Sequence, residues 1–166
     1  MHQHKIKKSN KSYLKHKTRT KKIGRSSSRS NSNVDSFERE ITIRFLEMLL
    51  MIKLYHWKTY SYATHKATDE LYSKLNENID KFIEVLLGKV GNRINLLKTK
   101  NIRLIDFDSS VKDTNKVKSE IIRFKEYLVN LNSNPFMIKM SNTDLYNIRD
   151  EILADLNQFL YLFTFT

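Results

Sequence analysis

Residues 55–88 read YHWKTYSYATHKATDELYSKLNENIDKFIEVLLG, and the reading of that stretch decides the fold. Ala67, Leu71, Leu75, Ile79, Phe82, Val85 and Leu86 recur at helical spacing, the mark of an amphipathic helix that buries one face. His65, Asp69, Asp80 and Glu84 occupy a different strip of the same helix. Taking 100° per residue, they project at about 0°, 40°, 60° and 100°, and the apolar set centres about 150° away. Imidazole and carboxylate together are ligands of the kind that hold iron, manganese or zinc. A rise of about 1.5 Å per residue puts His65 and Glu84 about 28 Å apart, so one chain cannot wrap all four around one ion. Two copies of the helix, antiparallel across a two-fold axis near Leu75, bring His65 and Asp69 of one beside Asp80 and Glu84 of the other. A two-fold interface meets itself, so the strip reads as half of an inter-subunit site. Ile83 and Leu87 share its side and can cement the contact.

The neighbouring segments read as helices of the same kind. Upstream, Asp35 with Glu38 makes a capping-box signature. Phe37, Ile41, Phe45, Met48, Ile52 and Tyr55 then mark a first helix running to about Trp57. Leu46, Leu49, Leu50 and Leu54 widen its face and predict burial on more than one side. A break near Tyr60 to Tyr62 leads into the second helix, which Gly88 and Gly91 stop. Residues 92–110 are the longest connection. A third helix follows, with Val117, Ile121, Phe124, Leu128 and Leu131 on one face, and ends at Asn132 to Pro135. Ser141 with Asp144 caps a fourth, whose face runs through Leu145, Ile148, Ile152, Leu156, Phe159 and Phe163. The expected fold is all-α: a four-helix bundle with a long connection between helices two and three.

Charge divides the 166 residues unevenly. Residues 1–34 carry 11 Lys or Arg and no acid, whereas residues 35–166 carry 19 basic residues against 18 acids. The first segment is poor in apolar residues and rich in Lys, Arg, Ser and Asn, so it is expected to be a disordered tail. Residues 35–166 are expected to form one bundle domain. Lys5, Lys7, Lys8, Lys11, Lys15, Lys17, Arg19, Lys21, Lys22, Arg25 and Arg29 are the candidate nucleic-acid contacts, since mobile cations displace phosphate counterions without a folded surface. A nuclear-address reading of Lys17 to Arg25 stands beside it. The absence of cysteine excludes a disulfide framework and a thiolate zinc site. No apolar run is long enough to span a membrane and no hydrophobic leader follows Met1. The expected location is therefore intracellular and soluble, with association to DNA open.

His56–Trp57, the His65-x-x-x-Asp69 pair and the Asp80-x-x-x-Glu84 pair together resemble the ferroxidase signature of the Dps-type mini-ferritins, within the ferritin-like superfamily. Asp155 to Leu162 also looks like the last helix of that family. The interval from His56 to His65 is shorter than the family's usual one. The resemblance implies a ferritin-like bundle, a closed and dodecameric homo-oligomeric shell, and iron at a mono- or di-iron site. It assigns both metal ligation and catalysis to His56, His65, Asp69, Asp80 and Glu84. The implied activity is oxidation of Fe(II) by peroxide or dioxygen and storage of the ferric product, protecting DNA bound through the basic tails from iron and peroxide damage. Three other readings remain beside it: a solvated helix face with i,i+4 contacts, a nucleic-acid-condensing shell with a vestigial metal site, and a monomeric helical adaptor.

Overall fold

Phe37, Ile41, Phe45, Met48, Ile52 and Tyr55 are all buried, and with Met51 they form the inner face of the first helix. The computed structural model describes residues 27–99, 101–107, 111–139 and 142–165. They form α1 (Ser27–Lys58), α2 (Tyr62–Val90), α3 (Val111–Asn130), the short α4 (Pro135–Lys139) and α5 (Thr143–Leu162), with 3-10 turns at Leu131–Ser133 and Phe163–Phe165. Helix is the regular secondary structure of the described residues, which contain no strand. None of these helices is long and apolar enough to cross a membrane.

Contacts along the helices give their directions. From the end of α2 to its middle, Lys89 pairs with Asp144 at 2.9 Å, Lys81 with Glu151 at 3.4 Å, and Asn78 donates to Asp155 at 2.9 Å. α2 and α5 are therefore antiparallel. Tyr55 meets Thr114 at 3.4 Å, while earlier in α1 Phe45 packs edge-on against Phe124, so α3 also runs antiparallel to α1. The link between α2 and α3 travels back along α1 as a strap. Arg39 donates to the Asn95 carbonyl at 3.4 Å, the Arg103 N–H to Glu47 at 3.2 Å, and Lys58 to Asp106 at 2.6 Å. The Lys58 ammonium, followed by the Phe107 N–H, holds the Asp106 carboxyl below the usual carboxylate range.

Several local expectations are corrected. Order does not begin at Asp35: α1 starts at Ser27 and passes through Asp35, so the expected capping box is not made. Adding residues to a nucleated helix fixes one residue per bond, which lets α1 extend into the Ser/Asn-rich segment. The rest of the expected tail, residues 1–26, lies outside the described residues. α1 is also not buried on more than one side. Leu50 is 42% exposed, and Leu46, Leu49 and Leu54 are only partly covered, because α2, α3 and the strap pack on the opposite half of the helix.

Gly88 is interior to α2. Gly91 alone ends the helix, at φ 72, the left-handed conformation that a side chain disfavours, and its N–H bonds the Leu87 carbonyl. Pro135 opens α4 rather than only closing α3, as suits a residue with no N–H to satisfy. The residue before α5 is Asn142, whose side chain makes no capping bond and instead donates to the Met137 carbonyl. Asp144 accepts from the Leu145 N–H, and Ser141 lies outside the described residues.

Candidate metal half-site

The last turn of α1 carries His56 and the first turn of α2 carries His65. Only Thr59, Tyr60 and Ser61 separate the helices. Ser61 adopts extended backbone and accepts the Thr64 N–H at 3.2 Å, starting α2 with a side-chain cap. This tight turn brings the two imidazoles face to face, with centroids 3.9 Å apart and planes 25° from parallel.

Their polar contacts are reciprocal. His56 Nδ1 lies 3.1 Å from the His65 carbonyl, and His65 Nδ1 lies 3.1 Å from the His56 carbonyl. A carbonyl only accepts, so each neutral ring carries its proton on Nδ1 and keeps the Nε2 lone pair. Donation of one ring N–H to a carbonyl is how metal-binding histidines are commonly fixed in tautomer and orientation. The Asp69 carboxylate stands 3.9 Å from His56 Nε2. His56 is buried, whereas His65 and Asp69 face solvent.

Thr68 completes this arrangement and was not legible as a site residue. It is fully buried, lies 3.2 Å from His56 Nδ1, and donates to the carbonyls of Thr64 and His65 at 2.8 and 3.0 Å. Its position three residues after His65 is the one available signal, since a threonine there can bond back to the preceding turn.

The other expected ligands stand apart. Asp80 and Glu84 are exposed on α2, with Asp80 about 17 Å further along the axis than Asp69. Among the described residues they have neither an ion-pair nor a hydrogen-bond partner. The nearby lysines are engaged elsewhere: Lys74 with Glu70, Lys81 with Glu151 and Lys89 with Asp144. Among the described residues no group of three or more His, Asp or Glu within one chain is placed to hold a metal. The structure sets His56 against His65 and 3.9 Å from Asp69, without placing the three to hold one metal ion, and leaves Asp80 and Glu84 separate.

The surface around the strip is partly apolar. Lys53 lies over the Tyr72 ring at 4.5 Å and the Trp57 ring at 5.8 Å, joining the outer faces of α1 and α2. Trp57 is 67% exposed. Ile83 and Leu87 are half-buried beside the ligand strip.

Of the candidate nucleic-acid contacts, Lys5, Lys7, Lys8, Lys11, Lys15, Lys17, Arg19, Lys21, Lys22 and Arg25 lie outside the described residues. Arg29 belongs to the first turns of α1.

Residues 56–163 match a family of unknown function, DUF5856. All five candidate ligands fall within the matched region. An uncharacterized 14.6 kDa protein in the mobD-ri intergenic region of Enterobacteria phage T4 is 37% identical over 73 residues, covering 37% of this chain and 57% of that protein. The chain thus spans little more than half the length of this relative. No solved structure matches. These findings overturn the resemblance to the Dps-type mini-ferritins, because the family that matches is a different one. The motif's spacing is what any helix presents when it gathers ligands along one face, so it identifies a strip and not a lineage.

Proposed function

This chain belongs to the DUF5856 family, and from the arrangement on α1 and α2 we propose that it is a self-associating helical protein that captures Fe(II) between two subunits and oxidises it. One observation carries the reading. Two stacked histidines are fixed through Nδ1, with His56 Nε2 3.9 Å from Asp69, while two carboxylates on the same strip have no partner among the described residues. Each half is incomplete. An antiparallel two-fold pairing of α2 would bring His56, His65 and Asp69 of one subunit to Asp80 and Glu84 of the other. The exposed Leu50 and Trp57, with Ile83 and Leu87, would supply apolar contact area around the ions.

The ligand set favours iron chemistry of a definite direction. Borderline imidazole nitrogens accept Fe(II), and anionic carboxylate oxygens hold Fe(III) more strongly, so oxidation raises the affinity of the same site. With hydrogen peroxide as oxidant, two Fe(II) ions each give up one electron, the O–O bond breaks, and two hydroxides form. Dioxygen is the other candidate oxidant. The bundle completes the reading. α1, α2, α3 and α5 would be its four helices, with the strap as the long connection between the second and third.

The test is native mass with and without Fe(II), followed by the absorbance of ferric product after peroxide is added. The expected protein is at least a dimer, and a larger closed assembly would show directly in the mass. A monomer at all concentrations, or Fe(II) oxidising no faster than in buffer, overturns the proposal.

A second role is favoured by the 11 basic residues and absent acids of residues 1–34. Carried in many copies, such segments would hold nucleic acid through phosphates, with steep salt dependence and little sequence preference. Removing residues 1–26 should abolish most of a gel shift and flatten its salt dependence. Equal binding by both forms would move the contact onto the helices or remove nucleic acid from the account.

A further inference from the structure

Between α1, α3 and the strap lies a cavity of about 390 Å³, on the side of α1 away from α2. That volume falls within the range of about 300–1,000 Å³ used by small-molecule sites. Its floor is apolar, made by Met48, Met51, Phe124 and Ile105. Its rim is charged: Arg44, Arg103 and Arg123 stand around Glu47 and Glu120.

The rim has more donors than acceptors. Glu47 already accepts from Arg44 at 3.2 Å and from the Arg103 N–H at 3.2 Å. Glu120 accepts from Arg103 at 3.3 Å and from Arg123. Three guanidinium groups offer about fifteen N–H donors, far more than two carboxylates consume. Tyr127 also lines the cavity, and its buried hydroxyl lies close to the Glu40 carboxylate without a hydrogen bond of good geometry to it. Burial, then the nearby Glu40 carboxylate, pushes the Tyr127 phenol up, so it stays a neutral O–H donor at all ordinary pH.

We propose that this cavity binds a small organic carboxylate with an apolar body. The carboxylate would sit at the arginine rim and the Tyr127 hydroxyl, and the body would lie on the methionine and phenylalanine floor. Guanidinium recognises carboxylate by paired, charge-assisted bonds, and methionine lines irregular apolar space that accepts varied shapes. This cavity lies on the side of α1 away from the candidate iron ligands of α2.

Octanoate is the probe and octanol its neutral control, each titrated calorimetrically into the full-length protein. Saturable binding of octanoate is expected, with octanol at least about tenfold weaker, the scale of one lost charge-assisted bond. Arg44→Gln with Arg123→Gln should weaken octanoate by about tenfold or more. Each glutamate keeps an Arg103 contact in that variant, so the fold should persist, as circular dichroism will show. Tyr127→Phe removes only the hydroxyl and gives an independent reading, with a loss of several-fold expected. No saturable binding, equal affinity for octanol, or parental affinity in both the arginine and Tyr127→Phe variants overturns the proposal. Asp80→Ala with Glu84→Ala should bind octanoate as the parent does, which separates this site from the iron site.

Discussion

The two ends of the α2 ligand strip are built in opposite ways. At the N-terminal end, His56 and His65 are stacked, cross-bonded to each other's carbonyls and backed by the buried Thr68. At the C-terminal end, Asp80 and Glu84 stand in solvent, one turn apart, with no partner among the described residues. Like charges at that spacing weaken a helix by about 0.2–0.5 kcal/mol. One end is organised before any ligand arrives, whereas the other holds unneutralised charge. The difference shows where each kind of ligand gains from being placed. A neutral imidazole must be fixed in tautomer and direction to bind, while a carboxylate attracts a cation from any nearby orientation.

The largest effect is expected from emptying the bare end. Asp80→Ala with Glu84→Ala should abolish fast Fe(II) oxidation, read as the absorbance of ferric product, while helix content stays at the parental level. Both side chains are exposed, so their loss removes little packing. Oxidation at the parental rate would mean that the strip has been assigned wrongly.

Next in size is the surface that would join the two ends. Leu50→Lys adds a charge to a position already 42% exposed, so the single subunit should fold normally. Subunits related by a two-fold would then oppose lysines across the contact. The native mass should fall to that of one chain, and oxidation should fall with it. Oligomers of unchanged mass would place the contact elsewhere.

The organised end gives a smaller and different effect. His56→Ala removes one neutral ligand but also a buried ring with bonded Nδ1. Oxidation should slow without vanishing, and stability should drop by about 1–3 kcal/mol, the usual consequence of leaving buried partners unpaired. His65→Ala exposes less and should slow oxidation with little loss of stability. A parental melting temperature for the His56→Ala variant would show that its bonding does not hold the turn.

The smallest effect concerns a carboxylate in the reverse environment. Glu38 is buried, its Oε1 has no partner, and burial, then Asp35, holds its carboxyl above the usual range. The fold therefore favours the neutral acid, and parental stability declines as pH rises through that raised value. Glu38→Gln should gain about 1 kcal/mol at pH 7 and lose most of that advantage in acid, measured by thermal melts across pH. The same gain at every pH would remove the charge from the explanation.

Much of this molecule was legible because helical periodicity is a local property. Phe37, Ile41, Phe45, Met48, Ile52 and Tyr55 of α1 are buried where spacing placed them, and so are the predicted faces of α3 and α5. The exposed strip of α2 was legible for the same reason. The cap assignment at Asp35 failed because a box of two polar residues is common and helix ends respond to neighbours more than to their own sequence. The Dps-type resemblance failed at another level, since a ligand spacing constrains one helix and leaves ancestry free.

By itself the sequence determined an all-helical chain, the inward faces of its helices, and a ligand strip turned away from them, because each follows from repeat lengths along one segment. Tertiary structure decided what lies beside what. It stacked His56 on His65 and placed Thr68 beneath them. It laid the strap along α1 and so enclosed the arginine-rimmed cavity from residues 44–127. No local pattern encodes those meetings, because they depend on how whole helices pack and where a long connection runs between them.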